Sequence, residues 1–245
     1  MRFAYSNLAD AATLTASSEI AGYPVENVLD PRLTVKWHSD SATAQSVVID
    51  LGSAATCKVF AIVGHNINSG ATVRAQGNAT DAWTSPSVNE LITYNSGMMI
   101  KYATGGSYRY WRFSFSGLTS GLEIGRLWIG DYIQLTNSSF TDFVVTEKRD
   151  DVVAYGNGRQ KYASRGDGWR AINLNFPKSD TTTTSAIRSM FSSAGKHASI
   201  IFCNFDSLRD YPLVEPMYCS ITNDIEFSHA DAMRFRYSLS LEEDL

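Results

Sequence analysis

The residues of this chain whose types and places suit chemistry are aromatic and amide side chains, not paired carboxylates or activated nucleophiles. Tyr23, Arg32, His38, Asn66 and Asn68 fall in turn-rich segments that can share one end of a β-sandwich. Aromatic faces pack on the C–H groups of a sugar ring, while amides, imidazole and guanidinium take its hydroxyls. These five therefore form the candidate carbohydrate-binding set. Trp37, next to His38, could line the same surface, but the core-anchor reading is favoured for it. The four histidines (His38, His65, His197, His229) are scattered without an HxxxH pair, and no GxSxG elbow accompanies the serines. The acidic run Glu242-Glu243-Asp244 reads as a solvated tail. No catalytic residue is assigned, and the chain reads as a non-enzyme.

Short motifs fall to ordinary backbone readings. Gly156-x-Gly158 lacks the third glycine and the strand–turn–helix frame of a phosphate loop, so it reads as a β-turn. Arg165-Gly166-Asp167 spells an integrin-recognition tripeptide, yet its Gly-rich surroundings suggest a hairpin turn. Lys148, Arg149, Arg159, Lys161, Arg165 and Arg170 alternate with Glu147, Asp150, Asp151 and Asp167. Such mixed charge favours salt bridges over a nucleic-acid track. The net charge of −4 over 245 residues adds no basic field for nucleic acid or anionic membrane. No apolar run approaches the ~20 residues that span a bilayer, so no membrane insertion is expected. The first residues lack the charged and apolar regions of a signal peptide. Cys57, Cys203 and Cys219 form no CxxC and suggest neither zinc nor a disulfide framework, but buried free thiols made in a reducing compartment. No cofactor is implied.

The elements that would position the candidate set are strands. Val47, Ile49 and Leu51 alternate before Gly52-Ser53 breaks the run, and Val59 to Val63 is continuous, as in a strand buried on both faces. Trp111, Phe113 and Phe115 share one face of a third strand, and Leu122 to Ile129 closes the set. Polar residues 136–139 suggest a linker, dividing the chain into 1–132 and 133–245. In the second part Ile172, Leu174 and Phe176 alternate up to Pro177. A helix over 181–194 follows, with Ile187, Met190 and Phe191 on one face, a Ser or Thr cap and Gly195 at its end. Met233, Phe235, Tyr237, Leu239 and Leu241 alternate along a last strand. The fold class is mainly β: a sandwich, then a β-rich α+β domain with one helix.

Two resemblances rest on these residues. Ala16-Ser17-Ser18, Tyr23-Pro24, Asn27, Asp30, Trp37 seven residues later, Asp50-Leu51-Gly52 and Arg109-Tyr110-Trp111-Arg112-Phe113 together resemble the discoidin-like (galactose-binding-like) jelly-roll family over roughly residues 10–131. The resemblance implies a sandwich that mostly binds sugars or surfaces. Pro31 and Val35 depart from the family's usual Gly and Thr. Some relatives hold calcium in that loop, largely through carbonyl oxygens, and Asp30 alone stands out as a ligand where calcium wants about six to eight oxygens; no metal is assigned. The second half resembles the tube-like domain of minor tail proteins from long-tailed bacteriophages. That likeness is carried by residues 155–162, residues 165–170, the 172–176 strand with Pro177, the 185–194 helix and the closing 237–243 strand. It implies a distal-tail-like component of a tail tip or baseplate, made in the bacterial cytoplasm and resident in the virion. Its partners would be copies of itself in a ring and the tube, hub and tape-measure proteins. A hairpin between about 143 and 162 would reach a neighbour, and the sandwich would decorate the exterior, contacting host-surface glycan. The alternative is a soluble lectin-type module.

Overall fold

Nine strands fill the first 134 residues: β1 (Arg2–Ala4), β2 (Thr13–Ala16), β3 (Trp37–His38), β4 (Gln45–His65), β5 (Thr72–Asn78), β6 (Val88–Ile92), β7 (Met99–Ser116), β8 (Glu123–Gly130) and β9 (Ile133–Gln134). The computed structural model describes residues 1–135, 142–206, 211–212 and 214–244; the expected linker over 136–139 lies outside the described residues. Gly52-Ser53 was expected to end a strand. Instead Gly52, at φ 74°, turns β4 without ending it, because glycine enters the left-handed region at no steric cost. The first part of β4 pairs with β2 and with residues 110–115 of β7, and the part from Val59 onward pairs with β8 and with residues 99–102 of β7. β5 and β6 extend the first of these layers, and β3 extends the second through β8. All pairings are antiparallel, and the two layers form a jelly-roll-like sandwich.

The alternation explains the packing. Val47, Ile49, Val73, Trp111, Phe113 and Phe115 of one layer meet Phe60, Ile62, Ile124, Leu127 and Ile129 of the other. The opposite face of that second layer is also covered, since Val59, Ala61, Val63 and Trp128 pack with Ala4, Ile201 and Tyr218. This double burial is why Val59 to Val63 is continuously apolar. Ala4 and Ile201 belong to β1 and the Ile200–Cys203 strand, which pair with each other, and β1 also pairs with β9. These contacts draw residues 200–218 to the first compact unit, so the units are Met1–Gln134 with Ile200–Tyr218, and Leu135–Ser199 with Cys219–Leu245. All three cysteines are buried and none is disulfide-bonded, and burial pushes the Cys57 and Cys203 thiols up to about 12.

The second unit is built on β10 (Asp142–Arg149), β11 (Val152–Tyr155), β12 (Lys161–Ser164), β13 (Gly168–Ser179) and α1 (Thr181–Ala194). β10 pairs with β13, which pairs in turn with the Arg234–Glu243 strand; residues 219–221 and Ser228–Asp231 also pair with that strand. Ile172, Leu174, Phe176, Tyr237, Leu239 and Leu241 are buried, as their alternation predicts. Met233 is not: it is exposed and precedes the strand, in the turn where its N–H bonds Asp231 Oδ1. The cap of α1 is Asp180, whose carboxylate accepts from Thr183 N at 2.6 Å, and not the expected Ser or Thr. Gly195, at φ 58°, ends the helix with its N–H on Phe191 O. No helix among the described residues is long and apolar enough to cross a membrane.

A tight point of the sandwich core is Gly77 on β5, opposite Trp111. A Cβ there would lie 2.6 Å from the indole, whose ring is fully buried and cannot swing away. Gly77→Ala is expected to cost ~1–3 kcal/mol by overpacking, read as a lower urea midpoint at unchanged slope. An unchanged midpoint would show that Trp111 has room to move.

A candidate ligand-binding end of the sandwich

The loops that follow β2, β3, β4, β6 and β7 emerge at one end of the sandwich. Polar side chains beneath them bond backbone. Gln45, almost fully buried, accepts from Ser17 Oγ at 2.5 Å and Ser18 Oγ at 2.8 Å, and its amide donates to Ser41 Oγ and Thr43 Oγ1. Ser39 Oγ accepts Leu122 N at 2.8 Å. Trp37 is buried and donates its indole N–H to Ser18 O. Asn27, in the 3₁₀ turn Val25–Leu29, donates to Lys36 O and closes the segment between that turn and β3. The bonds of Gln45 to Ser17 and Ser18, of Trp37 to Ser18 and of Ser39 to Leu122 tie turns that are distant in sequence.

On this frame sits an aromatic pair. Ile20 to Tyr23 forms a turn closed by Tyr23 N on Ile20 O, with Gly22 at φ 89°, the third position where a type II turn calls for glycine. Ile20 N donates to His38 O, and His38 N to Tyr23 O. The Tyr23 ring stacks on His38 with centroids 4.0 Å apart and planes 21° from parallel. Ile20 and Tyr23 are 43% and 45% exposed, so the pair and its aliphatic neighbour form an outward apolar ledge. His38 pairs with Glu123, whose carboxylate meets Lys36 Nζ at 3.5 Å. The ledge thus has a charged, hydrogen-bonding border.

The other members of the five-residue set have different work. Asn66 donates to Gly121 O and accepts Glu123 N; Asn68 donates to Gly117 O and accepts Thr119 N. Both reach the same end of the sandwich, as latches on the β7–β8 turn. Arg32 forms a two-pronged pair with Asp30, at 2.9 and 2.6 Å, in the segment preceding β3. The structure therefore brings Tyr23 and His38 into contact, sets Asn66 and Asn68 in the neighbouring turns, and engages Arg32 locally. That pair also answers for Asp30: hydrogen bonds from Arg32 hold its carboxyl at about 2, so the group weighed as a calcium ligand is already matched to a cation. No group of three or more His, Cys, Asp and Glu gathers as a metal site among the described residues.

Ile20 and Gln45 were missed by sequence reasoning. Ile20 gave a faint clue, an apolar residue beside a glycine turn and ahead of Tyr-Pro. Gln45 gave none, since its serine partners lie 28 and 27 residues away.

No protein-family model matches the chain, and no curated protein matches it in sequence. Among solved structures it is similar to a chitosan-binding module of a chitosanase/glucanase from Paenibacillus sp. IK-5, at 22% identity over 51% of this chain and 98% of that one, with a TM-score of 0.43. It is also similar to a Ruminococcus gnavus fucosidase in complex with fucose, at 17% identity over 53% of this chain and 27% of that one, with a TM-score of 0.44. A third is the lectin domain of lectinolysin complexed with Lewis B antigen, at 13% identity over 51% of this chain and 96% of that one, with a TM-score of 0.43.

His65 makes this end sensitive to pH. Its Nδ1 accepts Ile67 N at 3.1 Å, so the proton sits on Nε2, which donates to Asn95 O at 3.1 Å. Burial lowers its pKa. A depressed imidazole contributes stability that is full above the unfolded value, ~6.5, and is lost as pH falls through the folded value. Hydrogen exchange at the Ile67 amide, corrected for its intrinsic rate, is expected to quicken as pH drops from neutral toward 5. His65→Gln should abolish that dependence. A pH-flat Ile67 in the unmodified protein would refute the neutral-ring latch.

Proposed function

We propose that the chain is a non-catalytic binding protein that holds a neutral saccharide at the loop end of its sandwich. The observation that carries this is the exposed Tyr23–His38 stack beside Ile20, fixed from below by hydrogen bonds that do not involve its exposed faces. A sugar ring lays its C–H face on such a ledge, and the imidazole edge, Glu123 and Lys36 offer partners to hydroxyls at the border. A platform already ordered loses little conformational entropy on binding. Its small area keeps single-site affinity weak.

The test is a glycan array followed by titration calorimetry on the best hit. Tyr23→Ala should weaken binding about tenfold or more, as for loss of a stacking face worth ~1.5 kcal/mol, while the melting temperature stays near that of the unmodified protein. Binding that survives Tyr23→Ala undiminished would remove the ledge from the proposal, and an array with no hit would remove the proposal.

A second reading has its own observation. β11 and β12 continue the β10–β13 hairpin as a two-stranded ribbon in which each residue is exposed, among them Val152, Val153, Tyr155 and Tyr162. An isolated hairpin is marginal in water, and large apolar side chains on it favour a covering partner. We infer assembly with further copies of this chain, in the manner of a tail-tip component of a long-tailed phage with tube, hub and tape-measure neighbours. The two readings are compatible, since copies in a ring multiply a weak sugar contact. Light scattering coupled to size-exclusion chromatography should show an oligomer that Tyr155→Lys with Tyr162→Lys dissociates. A stable monomer at high concentration would defeat self-assembly.

A further inference from the structure

β8 runs the length of its layer, so Glu123 lies at the loop end just described and Gly130 ~23 Å away, at ~3.3 Å per residue. Beyond Gly130 a cleft of about 350 Å3 opens, lined by Tyr5, Leu8, Thr56, Asp131, Tyr132 and Ile133 among others. That volume is at the small end of ligand sites, ~300–1,000 Å3, and suits one ring and not an oligomer.

The cleft's chemistry narrows the occupant. Asp131 Oδ2 meets Lys58 Nζ at 2.8 Å and Asp131 Oδ1 accepts Tyr132 N at 2.8 Å. Carboxylate and ammonium offset one another, so the site has no net charge to select an ion. Each carboxylate oxygen still has a lone pair free of these two bonds. Within the lining the Asp131 carboxylate therefore offers an acceptor and the Thr56 hydroxyl a donor, the partners that sugar hydroxyls require. Leu8, Ile133 and the tyrosines give an apolar wall, and the exposed Thr56 hydroxyl stands at the mouth.

We propose that this cleft is a second saccharide site, taking a single neutral pyranose ring with an apolar face and adjacent hydroxyls. It is separate from the Tyr23–His38 ledge and stands without it. Its test is an amide-resolved NMR titration of the full chain with galactose, glucose and N-acetylglucosamine, with glucosamine and gluconate as charged comparisons. At least one neutral sugar should shift the Thr56, Tyr132 and Ile133 amides saturably, both in the unmodified protein and in Tyr23→Ala. Thr56→Trp, at a solvent-facing position, should erase that response by filling the mouth. Asp131→Asn, nearly isosteric, should weaken it about tenfold by removing a charge-assisted hydrogen bond. Shifts confined to the Tyr23 and His38 region would overturn the cleft site and leave the ledge standing. Thr56→Trp or Asp131→Asn titrating like the unmodified protein, or a charged comparison matching the neutral sugars, would likewise overturn it.

Discussion

The sandwich depends on two strands that bend without breaking. β4 and β7, of 21 and 18 residues, each serve both layers, so the two layers share one pair of strands whose ladder shifts register at the corner, between Asp50 and Ala55 and between Cys57 and Val59. A register slip in either would turn inward-facing residues outward in both layers at once. The corner is held where the strands are weakest: Asp50 takes Arg109 in a two-pronged pair at 2.6 and 2.8 Å, and hydrogen bonding to that guanidinium keeps the Asp50 carboxyl at about 2. Gly52 turns on one side of this brace, and Gly105, at φ 83° with Lys58 and Cys57 close by, turns on the other.

Fixing the strands fixes where the loops start, yet loops must still be stopped from wandering. Here that task falls to Gln, Ser and Asn side chains bonded to backbone and to one another, Gln45 and Ser39 buried and Ser18, Asn27 and Asn68 half-buried among them. An unmade bond in such a place costs more than a made one yields, so the latches enforce a single arrangement. The consequence for ligand contact is selective. Side chains that bind loops are no longer free to bind a ligand, and the surface left over is the aromatic ledge.

This division explains what the sequence could and could not reveal. Alternation at Val47 and Ile49, at Trp111, Phe113 and Phe115, and at Leu239 and Leu241 reports which face is buried, and the unbroken Val59 to Val63 run reports a strand covered twice. Those patterns are local and so legible. The resemblance motif was legible too, but its meaning was structural: Ser17, Ser18, Asn27 and Trp37 are latches and anchor. Asn66 and Asn68 lie in turns that their neighbours announce, while their engagement with the β7–β8 turn depends on partners about 50 residues away. The stacking of Tyr23 on His38 could not be read, because it follows from the Gly22 turn folding back on β3. Arg32 is engaged close by in sequence. Its partner, Asp30, is two residues before it, and a pair that close competes with any distant role.

The second unit poses the converse problem. Its sheet buries a face that the sequence announces, but β10 is at the edge of the β10–β13–Arg234–Glu243 order and carries exposed Val144 and Val145. Monomeric proteins usually blunt such edges with charge, proline or a bulge. Glu147, Lys148 and Arg149 do this at one end of β10, where Lys148 also pairs with Glu242 at 3.1 Å. The valines sit before that charged stretch, and the ribbon beyond it is apolar again at Val152 and Val153. Charge therefore interrupts the apolar surface and does not remove it. An edge patterned in this way resists indiscriminate strand pairing while leaving its apolar segments exposed.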